Sequence, residues 1–201
     1  MEFPEARIIV FAKAPELGRV KTRLIPDIGA KAATELHQSL VLNTLQQLSR
    51  AALCPVELWC APDNEHPFFN ECQQRFDVSL HTQHGDDLGM RMHHALNHSS
   101  RQPALLIGCD IPEIDGDYLR QGLLALVRGE SWVLGPAEDG GYVLVGCCES
   151  DCRIFEDVAW GTSDVLDQTL RNVKHLGYRP YCLSTLWDLD NYMDLQRWEA
   201  M

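Results

Sequence analysis

The sequence predicts an α/β protein of three layers, a mostly parallel sheet with helices on both faces. Three observations carry that expectation. Short apolar runs recur, Ile8-Ile9-Val10-Phe11-Ala12 and Pro103-Ala-Leu-Leu-Ile-Gly108 being the clearest, and an unbroken apolar run reads as a strand buried on both sides. Between such runs the apolar spacing changes to three and four residues, as at Leu36, Leu40, Val41, Leu45 and Leu48, which turns one helix face to a core. Strand and helix then alternate through short connections, with no internal repeat and no low-complexity tract.

Taken in order, the first strand opens into the loop 13–23, and residues 30–50 form a long helix. Val56–Cys60 is a strand, 66–75 a short helix, and Val78–His81 a third strand. The loop Gln83–Gly89 leads into a helix ending near 99, then the strand at 103–108. A helix over 117–128 and strands at Trp132–Gly135 and Tyr142–Gly146 follow, the last two joined by the turn 136–141. Thr162 or Ser163 is expected to cap a helix to about His175, Tyr178–Leu183 to form a last strand, and a short helix to close the chain after Asp190.

At 201 residues and 45% hydrophobic composition the chain can bury a full core, so one domain spanning 1–201 is expected. The formal net charge of −12 argues against nucleic acid and against an anionic membrane surface as partners, and points to small molecules. No stretch reaches the roughly 20 apolar residues of a membrane span, and the first apolar run is too short for a signal peptide, so a cytoplasmic protein is expected. Its 8 cysteines are then expected to stay reduced; Cys147, Cys148 and Cys152 lack the spacing of a zinc site.

The charge of the first loop runs against that of the chain. Lys13, Arg19, Lys21 and Arg23 sit within eleven residues, with Gly18 among them and Glu16 as the only acid. Cations and free backbone N–H groups converging after a strand form an anion site, the alternative being a solvated basic face. The run is not a P-loop, because Val20 stands where that motif needs a glycine before the lysine. In a parallel sheet, ligands bind beyond the carboxyl ends of the strands, and this loop, residues 83–89 and Asp110 all fall at that edge. Gly85, Asp87 and Arg91 are candidate ligand contacts there, Arg91 competing with a solvated helix arginine. Asp110, following a buried strand, is a candidate Mg²⁺ or Mn²⁺ ligand, or else a turn aspartate. Asp190, and after it Asp188, are candidates for a second ligand, against helix N-capping. Glu138, Asp139, Gly140 and Gly141 either approach a ligand or form a hairpin turn. His81, His84, His93, His94 and His98 carry no zinc pattern and read as surface or capping histidines.

The stretches FAKAPELGRVKTRL, QHGDDLGMRM, LLIGCDIP, LGPAEDGGY and AWGTSDVL, in this order, resemble a family of uncharacterised bacterial proteins in the glycosyltransferase-A superfamily. The resemblance covers nearly the whole chain. It implies the nucleotide-diphospho-sugar transferase (GT-A) fold, with molybdenum cofactor and 2-phospholactate guanylyltransferases as more distant relatives. It also implies that Lys13, Arg19, Lys21 and Arg23 meet nucleotide phosphates, that Gln83–Arg91 borders base and ribose, and that Asp110 holds the metal. The chain departs from the family at Asp190-Asn-Tyr-Met-Asp194, where a proline-fixed turn is usual.

Three functions follow as expectations. The first is Mg²⁺-dependent nucleotidyl transfer from a nucleoside triphosphate to a small phosphorylated acceptor, with Lys21 and Arg19 stabilising charge. The second is glycosyl transfer from a nucleotide-diphospho-sugar, with Asp139 or Glu138 taking the proton of an acceptor hydroxyl. The third is a nucleotide-binding module without turnover. Four loop cations put nucleotidyl transfer first. A homodimer is compatible with any of them.

Overall fold

The computed structural model describes residues 1–99 and 101–201. Seven strands, β1 (Arg7–Lys13), β2 (Val56–Ala61), β3 (Ser79–Thr82), β4 (Ala104–Ile107), β5 (Trp132–Pro136), β6 (Tyr142–Cys147) and β7 (Pro180–Cys182), form one sheet in the order β3-β2-β1-β4-β6-β5-β7. β1 pairs parallel with β2 and β4, β2 with β3, and β5 with β7; β6 runs antiparallel to its neighbours β4 and β5. The parallel pairings gather the carboxyl ends of β1, β2 and β4 at one edge, where the first loop and Asp110 emerge.

Helices α1 (Ile25–Ala51), α2 (Pro67–Phe76), α3 (Leu88–Leu96), α4 (Gly116–Val127), α5 (Val165–His175) and α6 (Tyr192–Glu199) alternate with the strands. Two apolar layers sandwich the sheet. One joins Val10, Leu58, Leu105 and Leu144 to Leu45, Phe69 and Leu123. The other joins Ile9, Trp59, Leu106 and Val145 to Met92, Ala95, Phe155 and Val173. A third cluster, with Leu24, Leu40, Trp187, Leu189 and Leu195, holds the chain's end against α1. Among the described residues no helix is long and apolar enough to cross a membrane.

Several boundaries differ from the sequence reading for local reasons. α1 begins at Ile25, with Pro26 in its first turn, before a non-helical Gly29 (φ 80°, ψ 157°); the break hid that first turn from the periodicity. β3 lies one residue later than expected, and β7 is shorter. Neither Thr162 nor Ser163 caps α5: the N-cap is Asp164, without a side-chain cap bond, and Thr162 Oγ1 instead accepts from the Asp164 N–H while donating to Ala159 O. The acidic β2 residue Glu57 is buried opposite Arg7, at 3.0 Å, and also accepts from Trp59 Nε1 at 2.8 Å. Arg7 donates onward to the carbonyls of Ala95 and Leu96, tying the C-terminal end of α3 to β1. His81 stacks on Trp59 (4.9 Å, 18°), and His94 and His98 meet the same ring edge-on.

Candidate functional site

The loop after β1 turns on two left-handed residues, Gly18 (φ 79°) and Lys21 (φ 48°). A left-handed non-glycine is uncommon, and here the turn buries the lysine stem. Lys21 Nζ reaches Asp110 Oδ2 at 2.8 Å and donates to the Leu189 carbonyl, its side chain being 3% exposed. The other cations are freer. Lys13 is exposed, Arg19 is 78% exposed and pairs with Glu16 at 3.1 Å, and Arg23 pairs with Asp190 at the surface.

Asp110 stands where β4 ends, at the junction of two clefts. Its backbone carbonyl accepts from Leu189 N at 2.8 Å, so the last segment of chain is laced to it. In 187–190 Trp187 and Leu189 are buried while Asp188 and Asp190 are partly exposed; this period of two sends both acids toward the site edge. They flank Asp110. Asp190 lines one cleft with Lys13, Arg19, Lys21, Arg23 and Arg91. Asp188 lines the other with Asp110 and Asp139. Burial, and after it the nearby carboxylates of Asp139, Asp190 and Asp110, push the Asp188 carboxyl up to about 6 from an ordinary 3.8.

The turn lacking proline is fixed by other means. Asn191 caps α6 by accepting from Met193 N and Asp194 N, and Asp194 Oδ2 accepts from the N–H groups of Asp190 and Asn191, a complete capping box.

Several sequence candidates have internal partners. Asp87 caps α3, accepting from Met90 N at 2.8 Å. Gly85 (φ 139°) lies so close to α3 that a Cβ would sit 2.7 Å from Arg91 N, and Arg91 Nε donates to Gly85 O at 3.0 Å. Asp87 and Arg91 still border the cationic cleft. Glu138 is bound by Arg197 at 2.8 Å and does not line the Asp139 cavity. Asp139 accepts from Gly141 N at 2.8 Å, which orients its carboxylate. Gly140 (φ 89°) is required by packing: a Cβ there would overlap the Ser163 backbone, and its carbonyl accepts from Leu166 N at 3.0 Å.

The acid donors suit a hard divalent cation. Asp110, Asp188 and Asp139 offer oxygen only, the ligand set that Mg²⁺ and Mn²⁺ prefer, and the raised Asp188 carboxyl marks a group in want of positive charge. Among the described residues, the ligand atoms of His37, Cys109 and Asp110 all lie within 4.8 Å of one another, a spacing that the three acids do not reach. That set is less apt for a metal, because His37 Nε2 donates to Lys13 O at 2.9 Å and burial raises the Cys109 thiol well above its usual range.

Fold and site together define the class, a sheet architecture shared by nucleotidyltransferases and nucleotide-sugar transferases. The chain belongs to a family described as uncharacterised proteins conserved in bacteria (DUF2064), whose model matches residues 44–162. It is similar to a protein from Desulfovibrio desulfuricans G20 assigned provisionally as a nucleotide-diphospho-sugar transferase, with 29% identity and TM-score 0.85 over 96% of this chain and 85% of that one. CMP:2-keto-3-deoxy-manno-octonic acid synthetase, solved with CTP, shares the fold at 10% identity and TM-score 0.62 over 98% and 97% of the two chains. Glucosyl-3-phosphoglycerate synthase from Mycobacterium tuberculosis, solved with Mn²⁺, UDP and glucosyl-3-phosphoglycerate, does so at 8% identity and TM-score 0.58 over 96% and 75%. No curated protein matches the sequence.

Proposed function

We propose that this protein is a divalent-metal-dependent glycosyltransferase that takes a nucleotide-diphospho-sugar and passes the sugar to an acceptor hydroxyl. One observation carries the choice: the site's lysines and arginines all line the Asp190 cleft, whereas no Lys, Arg or His is among the described residues lining the Asp139 cavity. The cationic cleft suits the donor diphosphate. A phosphorylated acceptor in the adjoining cavity would lie beside three carboxylates, of which Asp110 alone is paired with a protein cation, Lys21 at 2.8 Å, but a hydroxyl finds there a group to take its proton.

In this reading Lys21, Arg19, Lys13 and Arg23 bind and orient the diphosphate, with Gln83–Arg91 along the nucleoside. Asp110 and Asp188 would hold Mg²⁺ or Mn²⁺, leaving Asp190 to position Arg23. When bound, the metal neutralises charge on the departing diphosphate. Asp139, oriented by the Gly141 N–H, accepts the acceptor proton as the acceptor oxygen bonds the anomeric carbon. The bond from that carbon to the phosphate oxygen breaks, and the nucleoside diphosphate leaves with the electron pair.

Nucleotidyl transfer is the second reading. The five cations along one cleft favour it, since a triphosphate carries more charge than a diphospho-sugar. The deciding experiment incubates the protein and Mn²⁺ with radiolabelled nucleotide-diphospho-sugars or nucleoside triphosphates and a pool of small alcohols and phosphate esters. Sugar transfer that is lost in Asp110→Asn and falls at least about 100-fold in Asp139→Asn, as removal of a general base should do, supports glycosyl transfer. Pyrophosphate release from a triphosphate, intact in Asp139→Asn, replaces it with nucleotidyl transfer.

A further inference from the structure

The stretch AWGTSDVL has no role in the chemistry above, yet it builds one wall of the cavity beside Asp139. Trp160, Gly161, Thr162 and Val165 line that wall, facing Phe11 of β1 and Leu106 of β4. The wall is fixed in place by close packing. Gly89 of α3 is where a Cβ would come within 2.7 Å of both the Trp160 ring and Phe155 Cβ, so only glycine lets the indole lie against that helix. At the other end the Ser163 backbone is packed on Gly140, and between them Ala159 N donates to Gln168 Oε1 at 2.7 Å. Trp160 meets Tyr142 edge-on at 6.5 Å and leans on Phe155 at 6.3 Å.

Among the described residues, the cavity's charged lining is three carboxylates, and most of the rest is apolar, with the Thr162 hydroxyl in the wall. These are Asp110, Asp139 and Asp188; Phe11, Leu106, Tyr142, Trp160 and Val165 are among the apolar and aromatic residues that line it with them. An anionic acceptor entering its apolar part would lose hydration and find no Lys, Arg or His among the described residues lining it, the Lys21 ammonium being taken up by Asp110. A flat apolar face, by contrast, buries against the indole and the phenyl ring while its hydroxyl stays by the carboxylates.

We infer that the cavity binds an uncharged acceptor whose body is an apolar ring, seated against Trp160 and Phe11 with its hydroxyl toward Asp139. This rests on the transfer reading for the meaning of the site, but the binding itself requires no donor. Trp160 is in this view a specificity residue in contact with the acceptor.

The test is ligand-observed NMR on the full chain with a matched pair of probes, 2-naphthol and 2-naphthyl phosphate, which differ in charge but share the ring. Naphthol is expected to bind at least tenfold more tightly than the phosphate ester. Trp160→Ala is expected to weaken naphthol at least fivefold, and Trp160→Phe to restore it to within threefold of wild type. The inference is overturned if the phosphate ester binds as tightly as naphthol, or if naphthol binding is unchanged in Trp160→Ala. The paired probes on the wild-type chain decide the question of charge even should the alanine variant not fold. A chain that binds naphthol and transfers no sugar sinks the glycosyl reading and keeps this one; sugar transfer to phosphorylated alcohols alone does the reverse.

Discussion

The cationic cleft and the Asp139 cavity share Phe11, Leu88, Gly108 and Asp110 in their lining but differ in how they are made. The cleft draws most of its charge from one continuous loop, residues 13–23, whose two left-handed turns point its side chains to the sheet edge. The cavity takes its walls from β1, α3, β4, β6 and the segment leading into α5, each contributing ordinary apolar residues. The first is exposed, charged and locally encoded. The second exists only after the sheet has formed and two glycines have let a loop close over it.

That difference makes the two sides separable by mutation. The largest effect belongs to Lys21→Met, which removes the buried ammonium between Asp110 and the Leu189 carbonyl. Loss of one well-placed stabilising donor costs about 3–4 kcal/mol in the transition state, so turnover should fall roughly 10²–10³-fold while naphthol binding stays unchanged. An equal loss of both would mean that the two sides are one unit. Steady-state kinetics beside probe titration gives the answer.

Gly140→Ala comes next and strikes the other side. A left-handed backbone and an overlap with Ser163 together should cost about 2–3 kcal/mol of stability. At temperatures where the variant is still folded, nucleotide binding should persist and acceptor binding should weaken. Calorimetry with titrations of both ligands would show the split; weakening of the nucleotide alone would contradict it.

Asp188→Asn gives a smaller effect with a pH signature. The carboxyl is raised to about 6, so the fold favours its protonated form. The stabilisation from that form is complete below about pH 4, and is lost as pH rises through about 6. Asparagine cannot ionise, so in chelator the variant should be more stable than wild type near pH 7.5 by about 1 kcal/mol after discounting for partial exposure. That is about 2–4 °C in Tm, and the gain should disappear near pH 3.5. A gain constant over that range would show that the fold does not raise the Asp188 carboxyl.

Arg23→Gln is the mildest. Its pairing with Asp190 is exposed, so stability should change by less than about 1 kcal/mol. The donor KM should rise a fewfold and more at low salt, a dependence that probe binding in the cavity should not share.

The same contrast explains what could be read from the chain alone. The sheet was legible because unbroken apolar runs have one economical use, and the basic loop because its charge opposes that of the whole. The position of Asp110 at the sheet edge was legible from its place after a buried strand. The relation of Asp188 to Asp190 was not, since both acids lie on the same face of the 187–190 segment and only the neighbouring turn decides which of them meets Asp139. The bond from Arg197 to Glu138 spans 59 residues, and nothing local announces it. Gly140 was read as either a ligand contact or a hairpin residue, and the packing surface it serves is a loop more than twenty residues away. The buried pairing of Arg7 with Glu57 left no local sign either, although an arginine and a glutamate each opening an apolar run was a signal that could have been followed.

Leu189 joins the two sides through its main chain, its N–H held by the Asp110 carbonyl and its own carbonyl by Lys21. Its side chain, fully buried among Leu24, Leu40 and Trp187, takes no part in either bond. The position can therefore drift over generations among isoleucine, methionine and valine, answering only to volume, while the link between Asp110 and Lys21 persists. Polar side chains are barred by burial, and proline is barred besides because it has no N–H to give. Variation among aliphatic residues at this position across relatives would mark a core adapting, and a proline there would mark a site that has been rebuilt.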